Sequence, residues 1–370
     1  MNPLEDERWT RMAWARLSEP ADDVARSLID QLGLRDALDL VLHGSRHSSS
    51  PKVERFAARL ADFDLERDLE VTQRCGARVL IPGDDEWPHG LADLDAPPMC
   101  LWVRGPRPLG PTCARSVSIV GSRAATAYGE YVAADLAGRL AARGFTIVSG
   151  AAFGIDAAAH RGALATDGPT VAVLAGGVER AYPAAHASLI RQIAETSAVV
   201  SEVPPGSAPT RTRFLLRNRL IATLSTGTIV VEAGLRSGAL QTAGTAAKQG
   251  RPVGAVPGPV TSMVSAGCHQ AVREGTAVLV TDAEEAAELV GRIGADLAPV
   301  KRGPSRAADD LDELPRRVLA VLPPYRSMSV DDLARSGGLG VAEVMAGLGQ
   351  LEVAGLVEHR LDGWGQVRTG

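Results

Sequence analysis

The chain has 370 residues, 45% hydrophobic and 22% charged, which is ordinary globular usage, sufficient for two or three cores and incompatible with wholesale disorder. Its formal net charge of −5 excludes a protein that coats duplex nucleic acid by bulk charge and leaves room only for a local basic patch. No G-x-x-x-x-G-K-[ST] occurs, which removes a P-loop nucleotidase.

In chain order, the opening MNPLEDERW is acidic and lacks the apolar core of a signal peptide, and no apolar run approaches the ~20 residues of a membrane span. Cys75, Cys100, Cys113 and Cys268 form no C-x-x-C and no zinc spacing, so reduced structural thiols are expected. A soluble, cytoplasmic chain with no membrane partner, metal or cofactor follows as the expectation. Residues 8 to 72 read as short helices, WTRMAWARL, VARSLIDQLGLRDALDLVL and VERFAARLADF, broken at Gly33 and at His43–Pro51. They predict a small helical domain over 1–72.

From about Gly76 short strands appear among Pro and Gly. Seven further strand candidates follow: Val117–Val120, Thr146–Val148, Thr170–Leu174, Ala198–Ser201, Thr228–Val231, Val253–Val256 and Ala277–Val280. Helical patterns such as YVAADLAGRLAARG separate them. Apolar runs without alternation suit strands buried on both faces, so residues 73–291 predict an α/β fold, a doubly wound parallel sheet with its ligand at the carboxyl ends of the strands. Residues 292–312 are rich in Pro, Gly and charge and read as a linker. Residues 313–370 read as three helices and a hairpin turning at Asp362-Gly363, a winged helix. Its last helix, Val341 to Ala354, holds Glu343 and Glu352 and no Lys or Arg, which favours protein contact or regulation over duplex reading.

The residues after each strand carry the chemistry. Small residues in Gly121-Ser122-Arg123, in SGAAFGID (Ser149 to Asp156, with Gly150 and Gly154) and in EAGLRSGALQTA (Glu232 to Ala243) let backbone approach a ligand. Helix N-termini expected after Ser122, Gly154 and Gly238 add free N–H donors. Between Glu202 and Glu232 no acid occurs, whereas Arg211, Arg213, Arg217 and Arg219 fall within nine residues. Arginine forks suit phosphate oxygens, and Phe153, Phe214, Tyr128 and Tyr182 beside these loops are candidates for stacking on bases. Asp156 and His160, one turn apart, are compatible with loop ordering, catalysis or ligand contact; the acid reads most simply as a helix N-cap. Glu232 is a candidate for holding an arginine or a ribose hydroxyl.

VGSRAATAYG, SGAAFGIDAAAH, Tyr182-Pro183, SEVPPG, RNRLIA, VVEAGLRSGALQTA and VPGPV, in this order, resemble the DNA-processing protein A family, DprA or Smf. The resemblance covers about residues 76–290. It implies a Rossmann-like domain that binds and protects single-stranded DNA without base specificity, dimerises through that domain and helps load the RecA recombinase in homologous recombination and natural transformation, with no established catalysis. The helical N-terminal domain, of SAM-like or helix-hairpin-helix-like kind, and the winged helix match frequent accessories of the family. By position, the implied DNA contacts are Gly121, Ser122, Arg123, Ser149, Gly150, Arg217, Asn218, Arg219, Ser237 and Gly238. The chain departs from the family pattern at Leu215, at Ala184-Ala185 and at Gly267-Cys268-His269-Gln270-Ala271. The alternative is a Rossmann-like enzyme or sensor acting on nucleoside monophosphates, against which Glu232 preceding Ser237-Gly238 counts.

Overall fold

A computed structural model describes residues 3–44, 51–301 and 308–367, which fall into two compact units, Met1–Ala298 and Pro299–Gly370. The first is built on a nine-stranded sheet: β1 (Ala77–Leu80), β2 (Leu101–Arg104), β3 (Ser116–Gly121), β4 (Thr146–Ser149), β5 (Thr170–Leu174), β6 (Ala198–Ser201), β7 (Thr228–Val231), β8 (Val253–Ala255) and β9 (Val278–Leu279). Their order is β1-β2-β6-β5-β4-β3-β7-β8-β9; β2 runs antiparallel to both its neighbours, β1 and β6, and β3 to β9 are mutually parallel. The seven strands read from apolar runs are these parallel strands, and β4 to β7 are buried along their whole length.

Alternate side chains of the strands enter different cores. Val117 and Ile119 face Leu136, Leu140 and Ile155 on one side, and Val120 meets Leu220, Ile221 and Ala239 on the other. The helices Ala127–Ala142 and Ile155–Ala165 cross closely on the first side, where a Cβ at Gly162 would lie 2.2 Å from the Ala134 carbonyl oxygen. Small residues are therefore required at that crossing.

The N-terminal helices do not stand apart from the sheet. Met12, Trp14 and Leu17 of Pro3–Leu17 share one core with Trp102 of β2, Leu174 of β5 and Ile190, and the boundary placed at residue 72 falls inside the helix Leu65–Arg74, which Asp64 caps. Asp23–Leu32 and Leu34–Gly44 are separated, as expected, at Gly33 with φ +86°. VERFAARLADF forms two single turns, Pro51–Glu54 and Ala57–Leu60, rather than one helix. Residues 45–50 of the expected break lie outside the described residues, as do 302–307 of the expected linker. The start of that linker belongs to the sheet unit: the Asp296 carboxylate accepts from Arg115 Nη2 at 2.7 Å and from Arg292 N at 2.9 Å.

The second unit packs the helices Glu313–Val321, Val330–Gly337 and Val341–Val353 around Val318, Leu333, Val344, Leu348 and Leu351. A hairpin of β10 (Val357–Arg360) and β11 (Gly363–Gln366) completes the winged helix. Among the described residues no helix is long and apolar enough to cross a membrane.

Candidate nucleic-acid interface

The chain reverses its direction of travel across the sheet between β3 and β7. From β3 it steps outward through β4, β5 and β6, then returns over the sheet to β7, on the other side of β3. The loops leaving β3 and β7 must therefore diverge, and a crevice opens at the carboxyl end of the sheet. It encloses ≈ 790 Å³ between Ser122 and Arg123 after β3, Gly234 to Gly238 after β7, and the helix Arg211–Leu224. That helix is the return crossover itself, which is why an arginine-rich segment ends up over the switch point.

Three arginines border the crevice with exposed side chains: Arg123, Arg211 and Arg236. The sequence pattern marks Arg211 only as one of a basic run and does not single out Arg236; the one signal for Arg236 is its place directly before Ser237-Gly238. Arg123 lies over the Phe214 ring at 4.8 Å from its centroid, and Phe214 packs against the half-exposed Tyr182 at 5.6 Å between centroids. An aromatic pair thus stands among the cations, and both rings border the crevice. Ser237 caps the helix Gly238–Lys248 by accepting from Ala239 N at 3.2 Å, and Asn218 sits beside Gly238.

Arg217 reaches the crevice but is 5% exposed. Its Nη1 donates to the carbonyl of Gly150 at 2.8 Å and to that of Val173. Burial lowers its pKa to about 10, still well above neutrality, so it is a buried cation in the crevice wall. A Cβ at Gly150 would lie 2.6 Å from the terminal nitrogens of Arg217, so glycine is what admits the guanidinium. Arg219, placed with the DNA contacts by sequence, does not line the crevice; its Nη2 donates to Glu202. Successive odd positions on a helix point in different directions, and only Arg211 and Arg217 of the four face the crevice.

The loop after β3 is held by Glu232. This residue is buried with φ +53°, its backbone oxygen accepts from Ser122 N at 2.7 Å, and its carboxylate accepts from Thr126 N at 2.8 Å and from the Thr126 hydroxyl. Thr126 is the N-cap of the following helix, which begins at Ala127, four residues later than the terminus expected after Ser122. Ser122 and Arg123 thus lie in a loop, fixed from beneath by a carboxylate that is itself fully engaged. Gly154, with φ +72°, closes against this loop, since a Cβ there would lie 2.3 Å from the Ser122 carbonyl oxygen.

Asp156 and His160 are not a pair. Gly154, rather than Asp156, is the N-cap; Asp156 lies within the first turn and accepts from Ala152 N at 3.3 Å. Burial pushes its pKa up, opposed by the charge of Arg217. His160 Nδ1 bonds the Thr170 hydroxyl at 2.7 Å, and burial pushes the imidazole pKa down to about 3, so it is neutral at physiological pH. Ser149 is buried and donates to Ile119 O at 2.7 Å, away from the crevice. Phe153 packs on His186 at 4.7 Å, and the Tyr128 hydroxyl donates to Pro257 O at 2.7 Å. Neither Phe153 nor Tyr128 lines the crevice. Among the described residues no group of three His, Cys, Asp or Glu is placed to hold a metal.

The family described as DNA recombination-mediator protein A matches residues 78–291, and the DprA winged helix domain matches residues 302–363. A putative DNA processing protein DprA of Mycobacterium tuberculosis is 45% identical over 98% of this chain and 95% of the relative. Protein Smf of Escherichia coli is 39% identical over 78% of this chain and 77% of its own length. The X-ray structure of DprA from Streptococcus pneumoniae superposes with a TM-score of 0.63 at 31% identity, covering 75% of this chain and 96% of that one. DprA of Helicobacter pylori, solved to describe its single-stranded DNA binding mode, gives a TM-score of 0.51 at 28% identity over 56% of this chain and 92% of that one. The switch-point crevice, the sheet around it and these matches together place the chain in the DprA/Smf family of DNA processing proteins.

Proposed function

We propose that the crevice binds single-stranded DNA without base specificity, protects it, and presents it to a RecA-type recombinase during homologous recombination, including natural transformation. The observation that carries this reading is the grouping of exposed Arg123, Arg211 and Arg236 around the Phe214–Tyr182 pair. Cations spaced around a crevice suit successive phosphates, and aromatic rings accept any base, whereas a duplex hides its bases from such rings. Relatives named as DNA processing proteins, and the single-stranded DNA binding mode of the Helicobacter protein, support it.

We further infer that two copies associate through the sheet edge at β9. Val278 and Leu279 are exposed there, and Val260 and Met263 stand out nearby in the chain. Sedimentation equilibrium of the wild type and of Leu279→Glu tests this: the substitution is expected to yield monomers.

Fluorescence anisotropy with a labelled ~30-nucleotide single strand, competed by duplex and by nucleoside monophosphates at two salt concentrations, tests the main reading. Salt-sensitive binding competed by single strands alone is the expected result, to be followed by RecA filament assembly on strands coated by a single-strand-binding protein. Efficient competition by a mononucleotide would instead favour a nucleotide enzyme or sensor. The buried, neutral His160, which does not line the crevice, weighs against that reading.

A further inference from the structure

The winged helix carries an exposed face whose chemistry does not suit DNA. Val344, Leu348 and Leu351 turn the inner side of the helix Val341–Val353 into its core. On the outer side Val341, Met345 and Val353 are 52%, 50% and 91% exposed. With Gly349 they follow each other at intervals of four residues, so they form one continuous stripe. In a winged helix that reads duplex, this surface would lie in the major groove and carry cations for phosphate.

Here it carries none. The helix holds no Lys or Arg, and its charges are Glu343 and Glu352. At the wing, Arg360 is bonded to Glu358 at 2.8 Å, and the turn exposes Leu361 and Asp362. Over residues 299–370 the sequence has ten Asp and Glu against nine Lys and Arg, so the unit is nearly neutral in sum, and the negative charge at this surface is local, from Glu343 and Glu352. Phosphates brought to this surface meet like charge, and so would a second copy of the same winged helix. A partner that covers the apolar stripe must therefore supply positive charge at its margins.

We propose that the outer face of the helix Val341–Val353 is a docking surface for an amphipathic helix of another protein, one whose apolar stripe is flanked by Lys or Arg. The exposed methionine at the centre suits this use, because its unbranched thioether adapts to a range of apolar shapes. Charge at the margins selects the partner and speeds the encounter, while the apolar stripe provides most of the contact. The surface belongs to the second unit and is independent of what the crevice binds.

The test uses the full chain and fluorescein-labelled ~18-residue helical peptides with leucines at i, i+3, i+4 and i+7 positions. One peptide has Arg on both flanks of the stripe, the other Glu at the same places. The expected result is that the Arg-flanked peptide binds at least ~10-fold tighter at low salt. Met345→Glu combined with Val353→Glu is expected to abolish that binding without changing the melting temperature, since both side chains are exposed. Glu352→Lys with Glu343→Gln is expected to remove the preference between the peptides. Equal binding of the two peptides by the wild type would overturn the proposal, as would binding that survives Met345→Glu with Val353→Glu. Duplex DNA binding that is lost in that same variant would overturn it in favour of groove reading.

Discussion

Arg217 and Arg123 are both crevice arginines in the sequence, yet the structure gives them different work. Arg123→Ala removes an exposed guanidinium that rests on Phe214 and leaves no buried group without a partner. Arg217→Ala removes a buried one that ties the carbonyls of Gly150 and Val173 together and offsets the buried Asp156 carboxylate. Breaking a buried charge arrangement from one side costs roughly 3–5 kcal/mol. For a unit of this size that corresponds to a melting point lower by roughly 5–10 °C. Arg123→Ala is expected to melt with the wild type and to flatten the logarithmic salt dependence of single-strand binding by about 0.7, the share of one phosphate. Thermal unfolding and anisotropy titrations across a salt series, run on both variants, separate the two effects. An Arg217→Ala protein that melts with the wild type and loses the same salt slope as Arg123→Ala would refute the assignment of Arg217 as an internal strut.

Arg211→Ala and Arg236→Ala are each expected to behave like Arg123→Ala, with the salt slope reduced by about 0.7, whereas Arg219→Ala leaves the slope unchanged. Glu232→Ala releases the loop that carries Arg123 and is expected to weaken strand binding ~10-fold with an unaltered slope, because no phosphate contact is removed. His160 stays neutral in the fold down to about pH 3. The unfolded chain takes up its proton below about pH 6.5, so this residue's contribution to stability is complete above that pH and falls as the pH drops towards 3. At pH 5 the loss is about 2 kcal/mol, and denaturant unfolding of His160→Gln beside the wild type should show a shallower acid slope in the variant.

Most of the sheet was legible because its strands are short apolar runs, and a run buried on both faces has no alternation to misread. The two edge strands β1 and β2 were harder to delimit, since Pro and Gly interrupt that stretch. The helix Leu65–Arg74 escaped notice because only three of its residues are buried, and its sequence LERDLEVTQR is mostly charged or polar. In the crevice, residue types were readable and directions were not. Arg217 and Arg219 are two residues apart, yet one is bound to carbonyls beneath the crevice and the other to Glu202. Spacing alone could not show that Arg236, at the end of a loop, would border the same crevice as Arg123 from a loop more than a hundred residues earlier; the crossover from β6 to β7 decides that.

The same topology reconciles an acidic chain with an anion-binding crevice. The acids nearest the crevice are each committed to the fold: Glu232 to Thr126, Asp156 to Ala152, Glu202 to Arg219. Glu232 and Glu202 are buried and bonded locally and do not line the crevice, whereas the buried Asp156 does line it, close to the charge of Arg217. Arg123, Arg211 and Arg236 remain at the rim, where a small number of cations in a confined space produce a field that the net charge does not describe. The winged helix, a separate unit with its own core, instead presents Glu343 and Glu352 and no cation on its last helix. Two opposite electrostatic surfaces on one chain therefore imply two different partners. That division explains why the sequence's overall charge, taken alone, points to neither.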